Sequence, residues 1–96
     1  MESWLSMGRQ ISDKFENLDG RVNFAVNGSF LGGGGVSTLL TLHYEESQPD
    51  GSYKKVRFVK TVSEPGEYSI ASRTGKYWFS ASGPERMPWR VHVVVS

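Results

Sequence analysis

The sequence predicts a mainly β domain: an antiparallel β-sandwich or partly open barrel of about six strands with one N-terminal amphipathic helix. Three observations carry this reading. Apolar and polar side chains alternate with period two in several stretches, most plainly in Lys76 to Ser82 and Trp89 to Val95. Strong turn signals separate these stretches, namely Gln48-Pro49-Asp50-Gly51, Glu64-Pro65-Gly66 and Arg73-Thr74-Gly75. Near the N-terminus the apolar spacing changes to three and four.

Taken in order, Ser3 to Leu18 reads as the helix. Trp4, Met7, Ile11, Phe15 and Leu18 line one face, Ser3 can cap the start, and Gly20 sits where a left-handed residue would end it. Gly8 at its middle costs about 1 kcal/mol relative to alanine. The polar face carries Arg9, Asp13, Lys14 and Glu16. That mixture of signs differs from the Lys- and Arg-rich face of a membrane-surface helix. The apolar face is expected to cover a sheet, with a dimer or partner helix as the alternative.

Arg21 to Leu31 reads as the first strand, with Val22, Phe24 and Val26 on one face. Asn27-Gly28 fits a type I′ hairpin turn or a bulge in a longer strand, and the short remainder favours the bulge. Asn27-Gly28-Ser29 also spells a glycosylation acceptor, meaningful only in a secreted eukaryotic protein. Gly32 to Gly35 reads as a flexible connection. A phosphate loop would need a Lys-Ser or Lys-Thr pair after the glycines, and strand-like Val36-Ser37-Thr38-Leu39-Leu40 stands there instead.

Val36 to Glu46 is the second strand, with Thr38, Leu40, Leu42 and Tyr44 on one face; Leu39 makes the other face partly apolar. The chain turns at Gln48 to Gly51 and returns as Tyr53 to Val62, placing Val56, Phe58 and Val62 together. Glu67 to Ser72, Lys76 to Ser82 and Trp89 to Val95 complete the six. Pro65-Gly66-Glu67-Tyr68-Ser69-Ile70, followed by Gly75-Lys76-Tyr77-Trp78-Phe79, resembles the Pro-Gly-x-Tyr hairpins of many immunoglobulin-like sandwich modules. The resemblance covers about fifteen residues, is dictated largely by turn chemistry, and carries no functional residues with it.

The 96 residues suit a single domain that buries roughly 60 to 65% of its unfolded surface. A net charge of +1 argues against a nucleic-acid partner, which calls for a basic face. The chain has no cysteine, which excludes disulfides, thiolate catalysis and cysteine zinc sites. No apolar run reaches the length of a membrane span, and no basic-then-apolar leader opens the chain. Together with the missing disulfides this points to the cytoplasm.

Catalytic constellations are sparse. His43 and His92 form no two-histidine motif, and His43 with Glu45 on one strand face offers two metal ligands where a third is needed. Glu45 and Glu46 are adjacent and point to opposite faces of a strand. Glu64 and Glu67 flank a turn, where carboxylates are ordinarily solvated. No Gly-x-Ser-x-Gly elbow is present. The expectation is a non-enzymatic interaction module that needs no cofactor and engages a protein partner or a second copy of itself. The alternatives are a carbohydrate-binding module and a small metal-dependent hydrolase. Two groups of residues are the candidate anchors. Arg86, Met87 and Trp89 lie in the loop Gly83 to Trp89, which has Pro84 and Pro88 near its ends, and Arg and Trp are favoured at interfaces. Trp78 and Arg90 form the flat-face candidate, because both point away from the core if Tyr77, Phe79, Val91 and Val93 point inward. An exposed Trp78 or Trp89 could also serve as a sugar-stacking platform.

Overall fold

The computed structural model describes residues 1–17, 20–29, 38–47, 49–50, 52–54, 58–71, 73–85 and 88–96. Nine strands run through them: β1 (Glu2–Ser6), β2 (Phe15–Asn17), β3 (Arg21–Ser29), β4 (Leu39–Ser47), β5 (Tyr53–Lys54), β6 (Phe58–Val62), β7 (Gly66–Ala71), β8 (Gly75–Ser82) and β9 (Arg90–Val95). They form two antiparallel sheets. Sheet A has the order β1-β9-β3-β7, and sheet B has the order β2-β8-β4-β5, with β6 also paired to β4. The two sheets share one core. Leu5, Val22, Phe24, Val26, Val91 and Val93 come from sheet A, and Leu40, Leu42, Val62, Tyr77, Phe79 and Ala81 from sheet B. The Phe24 ring meets Phe79 edge-on across the interface at 5.1 Å and 65°. Two sheets packed on one shared core make this a sandwich.

The structure corrects the expected helix and the strand count. The described residues contain no helix, and the segment assigned to it forms β1, a turn at Met7 and Gly8, and β2. The burial pattern of β1 alternates: Ser3 and Leu5 are buried while Trp4 between them is 42% exposed. The apolar residues at helical spacing mostly face solvent, with Met7 at 45% and Ile11 at 61% exposure. The physical reason lies in what each conformation buries. A lone helix of this length is marginal unless tertiary packing covers its face. The extended chain instead buries Leu5 and completes ladders on both sheets.

This N-terminal strap crosses from one sheet to the other. β1 lies along β9 with Leu5 opposite Val91, and β2 lies along β8 with Phe15 opposite Tyr77. Between them, Ala81 N donates to Gln10 O and Ser12 N donates to Phe79 O, each at 2.8 Å. The buried Ser12 Oγ then accepts from Phe79 N–H at 2.8 Å and donates to Asp13 O at 2.9 Å. A side-chain hydroxyl thus stands where a strand carbonyl would complete the ladder, which lets the chain bend without orphaning a buried amide.

Consecutive strands after β6 do not pair with each other. β8 is bonded to β2 and β4, and β9 to β1 and β3, so the C-terminal stretch supplies an interior strand to each sheet. The turns read as hairpin signals at Glu64 to Gly66 and Arg73 to Gly75 carry the chain between sheets. Tyr68 Oη donates to Glu64 O at 2.6 Å and Tyr77 Oη to Arg73 O at 2.5 Å, so each tyrosine ties its strand to the preceding turn. Asp50 Oδ1 accepts from both Ser52 N and Ser52 Oγ in the turn after β4, which holds its carboxyl below the usual range. Gly28 lies within β3, in unbroken register opposite Val91, so the Asn27-Gly28 pair is neither a hairpin turn nor a shift in pairing. Its φ of 117° and the closeness of Arg90 O leave no room for a side chain. Gly32 to Gly35, Val56, Arg57 and Leu18 lie outside the described residues.

Candidate functional site

β8 and β9 alternate strictly, which decides where the candidate side chains go. Tyr77, Phe79, Ala81, Val91 and Val93 are buried, so Trp78, Ser80, Arg90 and His92 project outward. Because β8 and β9 belong to different sheets, Trp78 and Arg90 stand on opposite faces of the sandwich and do not form one patch. Each instead joins a separate aromatic cluster.

On sheet A, Trp4 and His92 are directly opposed across β1 and β9 and stack at 4.1 Å and 15°. The Arg90 guanidinium carbon lies 4.1 Å from the centre of the same indole, a cation–π contact. Glu2 Oε2 sits 3.4 Å from His92 Nε2, within ion-pair range but without hydrogen-bond geometry. Trp4 was assigned to a buried helix face in the sequence, so its place beside Arg90 was missed. Strand alternation of Ser3 and Leu5 was the signal that could have placed it.

On sheet B, Trp78 opposes His43 and stacks on it at 5.2 Å and 12°. Lys14 Nζ lies 5.0 Å from the indole centre and pairs with Glu45 Oε1 at 2.8 Å, pinning the strap to β4. His43 Nε2 lies 2.6 Å from Ser80 Oγ. Burial holds the His43 imidazole below its usual pKa of 6.5, favouring the neutral ring. A serine beside a neutral histidine is the opening of a nucleophilic site, and sequence reading missed it because the two residues are 37 apart. The pair stops there. Among the described residues no hydrogen bond orients the second ring nitrogen, and the pair lines neither of the described clefts. No group of three metal-ligating side chains occurs among the described residues.

Trp89 is a core residue, 3% exposed. Its indole lies against Gly83, where an added Cβ would come within 2.6 Å of Nε1. Arg86 and Met87 lie outside the described residues. One cleft of about 410 Å³ on sheet A is lined by Asn23, Ala25, Glu67, Ser69 and Val94 among others. Ser69 Oγ donates to Asn23 Oδ1 at 2.6 Å and accepts from Arg21 Nε at 2.9 Å, so that rim is already internally bonded.

Exposed apolar side chains are concentrated at the strap. Among the described residues, the exposed large hydrophobics are Met1, Trp4, Met7 and Ile11, all within the first eleven positions, and Leu39 on β4. No helix of the described chain is long and apolar enough to cross a membrane. Comparison with protein-family models, curated proteins and solved structures finds no match.

Proposed function

We propose that the chain is a non-enzymatic interaction module whose partner is a protein, engaged along the N-terminal edge of the sandwich. One observation carries this reading: four of the exposed large hydrophobics, Met1, Trp4, Met7 and Ile11, belong to the strap, at 38%, 42%, 45% and 61% exposure. Exposed apolar side chains gathered on one edge segment favour a contact along that edge, Trp4 from the side of sheet A and Ile11 from the side of sheet B. Trp4 is held in place by His92 and Arg90, so little conformational freedom is lost when it is covered. Trp and Arg are also the residue types that dominate binding energy at interfaces.

Sugar stacking is less well supported. Trp89 is buried, and the rings of Trp78 and Trp4 already carry a stacked imidazole and a cation each. The test is affinity capture from the source cell with wild-type chain, a Met7→Ser/Ile11→Ser variant and a Trp78→Ala variant. The expected outcome is a protein retained by wild type and Trp78→Ala and released by the strap variant. Retention that ignores the strap variant, or follows Trp78, overturns the reading.

A further inference from the structure

The open edge of β1 has a backbone pattern that is complementary to itself. Val95 N donates to Met1 O at 2.8 Å, and the Met1 amine donates to Val95 O at 3.2 Å. Met1 therefore turns its backbone groups toward β9. Alternate residues of a strand turn N–H and C=O to the same side, so Ser3 and Leu5 do likewise, while Glu2, Trp4 and Ser6 turn theirs to the open side. Ser6 confirms the parity. Its N–H donates to Arg9 O at 2.8 Å and its C=O accepts from Arg9 N at 3.1 Å, closing that end of the edge. Among the described residues, the N–H and C=O of Glu2 and Trp4 make no backbone hydrogen bond.

The other sheet edges are less inviting. β2 is three residues long. β5 is two residues long, and the pairing of β6 with β4 shifts register between Leu42 and His43. β7 carries none of the exposed large hydrophobics. Natural sheets blunt their edges with such shortness and irregularity. β1 is five residues long, pairs in even register, and has exposed Met1, Trp4 and Met7 on or beside it.

Resting on the interaction reading above, we infer that the partner at this edge is a second copy of the chain, joined through antiparallel pairing of β1 with β1 about a two-fold axis at Ser3. In that register Glu2 of each copy faces Trp4 of the other, and each pair exchanges both backbone bonds, so every free group of the edge is used. Centring the axis on Trp4 would call on Ser6, whose groups are already closed on Arg9. Centring it on Glu2 would oppose two carboxylates. The axis at Ser3 also matches charge. Each Glu2 carboxylate comes beside the Trp4 that carries Arg90 over its ring, giving two symmetry-related acid–guanidinium contacts. Met1, 38% exposed, comes opposite the buried Leu5 of the other copy on the inner side. The two four-stranded sheets become one continuous sheet.

The experiment is sedimentation velocity on the full chain across a concentration series to about 1 mM. The variants are Glu2→Pro, Glu2→Arg and Glu2→Arg/Arg90→Glu, each checked for an intact thermal transition. Wild type is expected to dimerise with concentration. Glu2→Pro removes an outward N–H without touching the β9 ladder, and Glu2→Arg sets two cations together; each weakens the dimer by about tenfold or more. The double swap restores attraction and recovers most of the loss. A monomer throughout, or a dimer indifferent to both single variants, overturns self-pairing. Either result leaves the interaction reading to its own capture experiment, which scores a retained partner rather than a dimer.

Discussion

Removing the Ser12 hydroxyl tests whether one side chain lets the strap change sheets. Ser12 is 6% exposed and Phe79 is 0% exposed, so the bond from Phe79 N–H to Ser12 Oγ, 2.8 Å long, is closed to water. Ser12→Ala deletes the acceptor and leaves the amide buried without a partner, at a cost of about 2 kcal/mol within the usual range for such a group. It also frees Asp13 O, but that carbonyl belongs to an exposed residue and can turn to water. For a domain of 96 residues the loss lowers the melting temperature by about 10 °C. Thermal unfolding followed by circular dichroism measures it, with Ser63→Ala at an exposed position as control. Hydrogen exchange adds a local readout, since the Phe79 amide should exchange faster in the variant than its neighbours do. A variant melting within about 2 °C of wild type, with Phe79 still protected, would refute the argument.

Two further outcomes follow from packing and from titration. Gly75→Ala drives a Cβ into Glu45 O and to 2.6 Å from the Tyr44 ring, and should destabilise by about 1 to 3 kcal/mol in chemical denaturation. His43 has its pKa lowered by burial, so as pH falls through the usual 6.5 the unfolded chain takes up the proton first. The stability that His43 contributes is therefore intact above that pH and is lost progressively below it. His43→Gln should show a smaller drop in melting temperature between pH 7.5 and pH 5 than wild type; an equal drop would rule His43 out as the source.

Strand faces were legible where alternation was carried by large side chains. Tyr77, Phe79, Ala81, Val91 and Val93 announce their own burial, and the outward parity of Trp78 and Arg90 follows from them. The strap was not legible because its period-two signal is written in small polar residues. Ser3 and Ser12 occupy buried positions, the latter satisfied by backbone partners, while Trp4, Met7 and Ile11 stay in solvent at a spacing that imitates a helix. Gly8 was read as a cost within that helix, and it marks a turn. Turn chemistry at Glu64 to Gly66 and Arg73 to Gly75 marks where the chain reverses but not which sheet it enters. For that reason Trp78 and Arg90 were placed side by side when the fold sets them on opposite faces. The clusters that do form join residues far apart in the chain, such as Trp4 with His92, and no local pattern encodes them.

The interior position of β9 between β1 and β3 sets the order in which the chain can mature. Met1 bonds to Val95 across a sequence separation of 94 residues, so β1 is made long before β9, the strand it pairs with. During synthesis β3 and β7 can pair early, and so can β4, β6 and β8, while the strap waits with Trp4, Met7 and Ile11 uncovered. Loop closure on this scale slows folding to milliseconds or longer. Throughout that interval the exposed residues of the strap are also open to premature association.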